Sequence, residues 1–411
     1  MGKLLNTGYA SIFASYWMVY GVVASFSSAF LLEAGYTNSE IGIILAIASV
    51  ISCIIQPVIA DIADRSKKLD ASGVSQIATV LIFVMVALLF ILKHKSVALF
   101  ITYAMIMAWV LALQPLFNSL CFRLEESGYD IMFGVCRGIG SAGYAILVAI
   151  LGTLVEKFGI IVLPETGLMS LALLFIALAF TKKFFERAKE NPPEGYVKRE
   201  LSEEDKEEIN LLEFVKRNKL FVLLNVGIVF LFFQNYITNN YMLQIVEGVG
   251  GNAEDMGRIF SVMAFLEMPA LFLYDKIRKK FSLHFLIVFA SVNFFFKLVA
   301  LTLANSVAMI YAAHFFHIFS FSVFLPAIVE YINTIMSKGE AVKGQALYTA
   351  SITISSIFAS IFGGMLLDIS GPRLMLTISS ASTLLGTVIV FAMLNIVYNK
   401  NTKTLEKSGR N

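Results

Sequence analysis

Twelve stretches of the sequence are each long and apolar enough to cross a bilayer: 8–33, 39–62, 73–93, 96–122, 131–156, 160–181, 218–245, 254–274, 281–302, 305–335, 344–369 and 372–398. A helix needs about 20 mainly apolar residues to cross the hydrocarbon core. Spanning β-strands would need polar–apolar alternation over about ten residues. These runs are longer and uniformly apolar, so every span is expected to be helical. Composition agrees: 58% of the 411 residues are apolar and 15% charged, with a mean hydropathy of +0.77. Soluble domains hold about 45–50% and about 25%. A disordered chain, a collagen and an ordinary soluble enzyme are excluded.

The series pauses once, at 182–217. Asn191-Pro192-Pro193-Glu194-Gly195 cannot continue a helix. Glu203-Glu204-Asp205-Lys206-Glu207-Glu208 follows, and the whole stretch reads as a solvated linker ending in a short surface helix. Lys and Arg set the orientation. Twenty-five of them, including Lys3, Arg123, the ten from Lys182 to Lys219 and the tail's four, fall on one side. Only Lys93, Lys95, Lys157 and Arg373 fall on the other, so both termini and the linker are expected to be cytoplasmic. Lys3 precedes a long apolar stretch with no small-residue cleavage site, so the first span is expected to be retained. The net charge of +3 is small and no basic block suggests nucleic acid. Cys53, Cys121 and Cys136 sit in apolar runs and read as small core residues, not as a disulfide framework.

The two halves resemble each other. Glu40-Ile41-Gly42 opens span two, and Asp255-Met256-Gly257 opens span eight. Span two ends in Asp61 and Asp64 before Arg65, Lys67 and Lys68, and span eight ends in Asp275 before Lys276, Arg278, Lys279 and Lys280. Gly152 to Gly159 ends span five as Gly364 to Gly371 ends span eleven. These matches lie at offsets of 212–215 residues, which argues for a duplicated six-helix unit. The expected architecture is an all-α membrane protein of twelve transmembrane helices in two pseudo-symmetric six-helix bundles. The N-terminal bundle takes 1–181, the linker 182–217, and the C-terminal bundle with its tail 218–411.

Three sets of residues carry chemistry. The first is Ala60-Asp61-Ile62-Ala63-Asp64-Arg65-Ser66-Lys67-Lys68. Acids at a helix end can pair with a neighbouring helix terminus and latch one conformation. Asp61, Asp64, Arg65 and Asp275 are therefore gate candidates. The spacing resembles the loop 2–3 signature of the major facilitator superfamily, with Ala60 in place of the usual leading Gly.

The second set is Phe133-Gly134-Val135-Cys136-Arg137-Gly138-Ile139-Gly140-Ser141-Ala142-Gly143-Tyr144-Ala145. Its Gly138-x-Gly140-x-x-Gly143 is formally a dinucleotide fingerprint, but no strand precedes it and it lies inside a span. The small residues instead permit close helix packing. Arg137 lies about two turns into an apolar helix, and an intramembrane Arg normally faces a polar path; snorkelling to the cytoplasmic interface is the competing reading. The segment resembles span five of the lactose-permease branch of the superfamily, the oligosaccharide–proton symporters. That resemblance implies Arg137 as main sugar ligand and Tyr144 as the ring that stacks on the sugar. Ordinary packing is the competing reading for Tyr144.

The third set lies in the second half: Glu267 in span eight, Lys297 in span nine, and His314 and His317 in span ten. The two histidines are three apart and expected on one face. Glu267 and Lys297 are expected to pair, since either alone at mid-membrane would be costly. A carboxylate beside a movable cation is what proton coupling needs; a purely structural pair is the alternative. By the same resemblance Lys297 stands where the branch has an Arg, and His317 falls on its span-ten His. Ser320 stands where the branch carries its proton-bearing Glu, and Asn118 where it has a span-four Glu. Glu267 is then the best remaining proton carrier, with Lys297 and His317 in the coupling set. Gln114 and Asn118 in span four, and Gln234, Asn235, Asn239 and Asn240 in span seven, offer donors and acceptors to a sugar or to neighbouring helices. Tyr16, Trp17 and Tyr20 are cavity or lipid aromatics, and Glu330 reads as an ion pair or gate at a helix end.

The function expected from this set is proton-coupled import of a sugar or small oligosaccharide by alternating access, in the cell's inner (plasma) membrane. The same fold carrying a nucleoside or aromatic acid, or acting as a non-transporting solute sensor, is the alternative. No Walker A sequence, nucleophile cluster or metal-ligand spacing is present, so an enzyme, a cofactor and a metal are not expected. The expected partners are the solute, protons and the lipid bilayer, and the expected state is a monomer.

Overall fold

The computed structural model describes residues 1–65, 71–190, 193 and 211–408; side chains are described except at 64, 65, 211, 212, 338, 339 and 397–408. The order is α1 (Gly2–Tyr20), a π-helical turn (Gly21–Ser25), α2 (Ser27–Glu33), α3 (Asn38–Arg65), α4 (Ala71–Leu88), α5 (Val97–Glu125), α6 (Phe133–Phe158), α7 (Val162–Glu190) and α8 (Leu211–Arg217). Then come α9 (Lys219–Asn240), α10 (Met242–Glu247), α11 (Ala253–Arg278), α12 (Leu283–Leu303), α13 (Val307–His314), α14 (Phe316–Phe319) and α15 (Phe321–Ile335). The last run, Lys338–Ser408, is two helices, α16 (338–369) and α17 (372–408), because Ser370 and Gly371 leave helical geometry. Gly371 has φ 73°, which favours a residue without Cβ, and Pro372 starts the next helix.

Among the described residues, ten helical stretches are long and apolar enough to cross a membrane, and the bent pair Gly2–Ser25 with Ser27–Glu33 makes an eleventh. One of the ten, Glu340–Ile396, has 57 residues. At 1.5 Å per residue it would reach roughly 85 Å, against a hydrocarbon core of about 30 Å. The break at Ser370 and Gly371 divides it, giving the twelve spans. Their outward faces carry large exposed apolar side chains such as Ile54, Val58, Phe122 and Phe272, the surface a bilayer covers.

Several expected boundaries move. Helix one starts at Gly2, not 8, and the third span's helix stops at Leu88. Helix α7 continues into the stretch read as linker, as far as Glu190. Phe185 and Ala188 are buried on it, so the extension is amphipathic. Residues 191–192 and 194–210 of the linker lie outside the described residues. Its end does form the short helix α8, with Phe214 fully buried. Cys121 and Cys136 are buried as expected, but Cys53 is exposed on the apolar outer face of α3.

Spans one, seven and ten are broken where single helices were expected. In water-free surroundings a broken helix is tolerated only if its freed backbone groups find other partners. Ser27 Oγ donates to the Ala24 carbonyl at 2.8 Å, at the π-helical bend. Tyr241 separates α9 from α10, and its hydroxyl donates to the Ser360 carbonyl. In span ten, Ser320 Oγ donates to the Phe316 carbonyl at 2.8 Å and Ser322 Oγ to the His317 carbonyl at 3.2 Å. His317 thereby sits in a four-residue helix bounded by Phe315 and Ser320.

Contacts divide the chain into two compact units. The first holds Met1–Glu200, Asn240–Phe265 and Ser360–Asp368; the second holds Leu201–Asn239, Leu266–Ala359 and Ile369–Asn411. The second has an aromatic-rich core, with Phe232, Phe294 and Phe324 ring to ring.

Within the first unit, two helix crossings share one construction. Helix α6 meets the start of α11, where a Cβ at Gly152 would strike the Ala253 carbonyl oxygen and one at Gly257 the Val148 carbonyl oxygen. Helix α16 meets the start of α3, where a Cβ at Gly42 would strike the Ser360 oxygen and one at Gly364 the Asn38 oxygen. Each crossing is locked by an acid on a helix N-terminus. Glu156 accepts from the Ala253 amide at 3.0 Å. Asp368 accepts from the Asn38 and Ser39 amides at 3.2 and 2.8 Å, and from Asn38 Nδ2 at 2.9 Å. Thr153 Oγ1 donates to Glu254, which pairs with Arg258. Glu156 and Asp368 are equivalent in the sequence repeat, as are Gly42 and Gly257.

These crossings leave no room for side chains. Gly257→Val should lower the melting temperature of the purified protein, with overpacking costing about 1–3 kcal/mol. Gly134→Val, where nothing lies within 4 Å of an added Cβ, is the control and should leave it unchanged. Asp368→Asn should be milder than Asp368→Ala, because Asn also caps helices and Ala forfeits about 1 kcal/mol.

Candidate functional site

Arg137 lies in the first unit, one turn into α6, because that helix starts at Phe133. It is nearer the helix end than the two turns expected. One turn further on, Gly140 faces span one: a Cβ there would lie 2.9 Å from Trp17 Cδ1 and 3.0 Å from Phe13 Cβ. A Cβ on Gly143 would lie 3.4 Å from Ala14 Cα. The glycine pattern of this span is therefore a contact stripe for α1. It brings the Trp17 ring to 4.1 Å from Arg137 Cζ. Arg137 Nη1 also donates to Ser141 Oγ at 3.3 Å. The Tyr144 hydroxyl is 2.8 Å from Ser25 Oγ, on the π-helical turn. Its ring stands edge-on to Trp17, 6.3 Å between centroids, and Tyr20 lies 5.0 Å from Trp17. Three tyrosine hydroxyls bolt span one to α5: Tyr9 donates to Phe117 O, Tyr16 to Val110 O, and Tyr103 to Val23 O. Gln114 and Asn118 are half-buried on α5.

The second unit brings Glu267, His317 and Lys297 together, in an arrangement the sequence did not specify. Glu267 and Lys297 do not pair directly. His317 bridges them: Nε2 is 2.7 Å from Glu267 Oε1, and Nδ1 is 3.2 Å from Lys297 Nζ. An imidazole of a single tautomer satisfies both contacts. Lysine ammonium donates to a bare Nδ1, while Nε2–H donates to the carboxylate. The charges at the two ends then cancel across a neutral ring. Lys297 has no exposed surface, so this chain provides its compensation. The His317 ring stacks on Phe321, at 5.4 Å and 8°.

His314 does not join this group, because the break at Phe315 separates the two histidines. It is fully buried, and its Nδ1–H donates to the Ile310 carbonyl at 2.8 Å. Ser320, at the position expected of an acid, repairs the helix break instead. Along α9, Asn235 is buried and Asn239 half-buried. Gln234 is fully buried, with neither amide atom partnered among the described residues. Asn240 Nδ2 donates to Ser360 Oγ at 2.9 Å, a helix-to-helix contact.

Of the gate candidates, Asp61 and Asp275 are exposed. The side chains of Asp64 and Arg65, and Ser66, Lys67 and Lys68 entirely, lie outside the described residues. The charged network found near Asp275 centres on Glu330, which accepts from Arg278 Nε and the Tyr274 hydroxyl, both at 2.9 Å. Sequence pointed to Glu330 but not to these partners.

Twelve apolar spans among the described residues, mirrored helix crossings, and a lysine buried inside its span define a membrane transporter of the major facilitator type. The chain belongs to the MFS_1 like family, whose model matches residues 9–378. No curated protein sequence matches it significantly. Two crystal structures of the nucleoside transporter NupG, one of a point mutant, share its fold with TM-scores of 0.75 and 0.77 at 13% identity. They cover 96% and 95% of this chain and are themselves 99% covered. A bacterial homologue of the human lysosomal transporter Spinster, in an inward-facing unoccupied conformation, gives 0.62 at 13% identity over 96% of both chains.

The bridge has an energetic signature. Glu267→Gln and Lys297→Met should each destabilise the protein, because the first strands a buried ammonium and the second a half-buried carboxylate. The double variant should lose less than the sum, with a coupling of about 0.5–3 kcal/mol transmitted through His317. Additive losses in a thermal-unfolding cycle would dissolve the bridge.

Proposed function

We propose that this protein carries a small polyhydroxylated solute, a sugar or short oligosaccharide, into the cell together with protons. The observation that carries the reading is the hydrogen-bonded chain Glu267–His317–Lys297. Of its members only Glu267 has appreciable side-chain exposure, 23% against 2% for His317, so it is where a proton enters and leaves. The chain has two neutral forms. In one, Lys297 is an ammonium, His317 holds its proton on Nε2 and Glu267 is ionised. In the other, Lys297 has passed a proton to Nδ1 as Nε2 passed its own to Glu267. Total proton count and net charge are unchanged between them. A proton taken up at Glu267 from the first form leaves one positive charge on the chain, and its release restores neutrality. A lysine supports this exchange where an arginine, which does not deprotonate in proteins, cannot.

Arg137 serves as the solute's main ligand, its planar fork suiting paired hydroxyls or a carboxylate. Tyr144 supplies a ring face to the solute, and Gln114, Asn118, Asn235 and Asn239 supply neutral donors and acceptors. The two six-helix halves, 1–181 and 218–411, alternate access about the linker 182–217. The paired glycine crossings and acid caps then act as a gate on the side away from the basic helix ends. With the basic ends inward, both termini are cytoplasmic, and Asp61, Asp64, Arg65 and Asp275 belong to the opposite gate. The working unit is a single chain.

A nucleoside is the second reading. It is favoured by the shared fold with NupG and by the rings around Arg137, which suit a flat base as well as a sugar face.

The test is uptake into proteoliposomes of galactosides, glucosides, short oligosaccharides, nucleosides and phenylpropionate, one at a time. Uptake of one sugar class is expected. Arg137→Gln should raise its KM at least tenfold. Uptake of nucleosides alone selects the second reading, and an unchanged KM in Arg137→Gln removes Arg137 from the site. Lys297→Arg should fold and exchange solute but fail to concentrate it.

A further inference from the structure

We propose that Trp17 is the positioning residue of the Arg137 site, holding the guanidinium in place with its ring face; this rests on the reading of Arg137 as solute ligand. Arg137 Cζ lies 4.1 Å from the Trp17 ring centre, well inside the range in which an indole attracts a cation. A ring face attracts the guanidinium from above its plane and itself takes none of the in-plane donors, one of which, Nη1, donates to Ser141 Oγ. A carboxylate in the same place would consume two of them.

The slot for the ring is built. Gly140 lies three residues after Arg137, on the same helix face, and has no Cβ where the indole Cδ1 passes. Tyr16, Tyr20 and Tyr144 hold the ring at centroid distances of 5.5, 5.0 and 6.3 Å. The Tyr144 hydroxyl is in turn fixed to Ser25 on the π-helical turn, so the bend in span one and the shelf are mechanically continuous. The buried indole N–H has no hydrogen-bond partner among the described residues. Packing and the cation therefore place the ring, with no polar tether of its own. The indole's emission therefore responds to the charge held against its face, and changes when that cation engages a ligand.

The sequence contains only two tryptophans, Trp17 and Trp109. Trp109→Phe therefore makes the fluorescence of the protein a direct report on Trp17. In that background and without solute, Arg137→Gln should change the intensity and lifetime of the emission. Lactose and uridine are then titrated separately, and one of them should shift the emission saturably. In the native background, Trp17→Phe keeps a ring face and should raise KM for that probe less than threefold. Trp17→Leu should raise it about tenfold, with turnover within twofold of the parent. Emission indifferent to Arg137→Gln overturns the proposal while leaving Arg137 as ligand, provided that variant still loses affinity. Equal KM in the Phe and Leu variants also overturns it. Emission silent to both probes, or affinity unchanged in Arg137→Gln, overturns it together with the solute reading beneath it.

Discussion

Backbone hydrogen bonding inside a bilayer is the constraint on which the rest of this structure depends. No water is available there, so a helix breaks only where side chains repair the damage. The repairs mark the places that matter. Ser320 and Ser322 mend span ten just after His317, on the Phe316 and His317 carbonyls, and Ser27 mends span one beside the turn that holds Ser25 against Tyr144. Tyr241 closes span seven's break onto Ser360, at one of the paired glycine crossings. The polar residues of the spans are thus largely the devices that permit departures from a straight helix. Those departures place the chemically useful side chains.

Buried charge imposes the second constraint. Lys297 has no exposed surface, and an ammonium there is tolerable only beside a compensating group. The compensation arrives through an imidazole and not by direct contact. A bridge of this kind can move a proton from end to end while its net charge stays fixed. A direct ion pair offers no such second state. Arg137 is only half-buried and is held differently, against an aromatic face and the Ser141 hydroxyl.

The twelve spans were legible because length and uniform apolarity are one-dimensional properties. The internal duplication was legible for the same reason, and it led to the mirrored acid caps of Glu156 and Asp368. The breaks were not, since Ser, Tyr and Phe are ordinary inside a membrane helix and the bend depends on a neighbouring helix. Two histidines three apart suggest one face, yet the break at Phe315 assigns His317 to the bridge and His314 to its own backbone. Trp17 could not be distinguished from a lipid-facing ring, because its placement depends on a missing Cβ at Gly140, on another helix. Continuation of α7 to Glu190 was readable in principle from buried Phe185 and Ala188, but the charge run beside them obscured it.

The central claim is that Glu267 carries the coupled proton through the bridge to His317 and Lys297. The most direct measurement is the external pH of a lightly buffered suspension of proteoliposomes when the transported solute is added. The account predicts alkalinisation with the wild-type protein. It predicts none with Glu267→Gln, while that variant still exchanges labelled for unlabelled solute across the membrane. Equal alkalinisation by Glu267→Gln, or wild-type uptake with no proton movement, would contradict it.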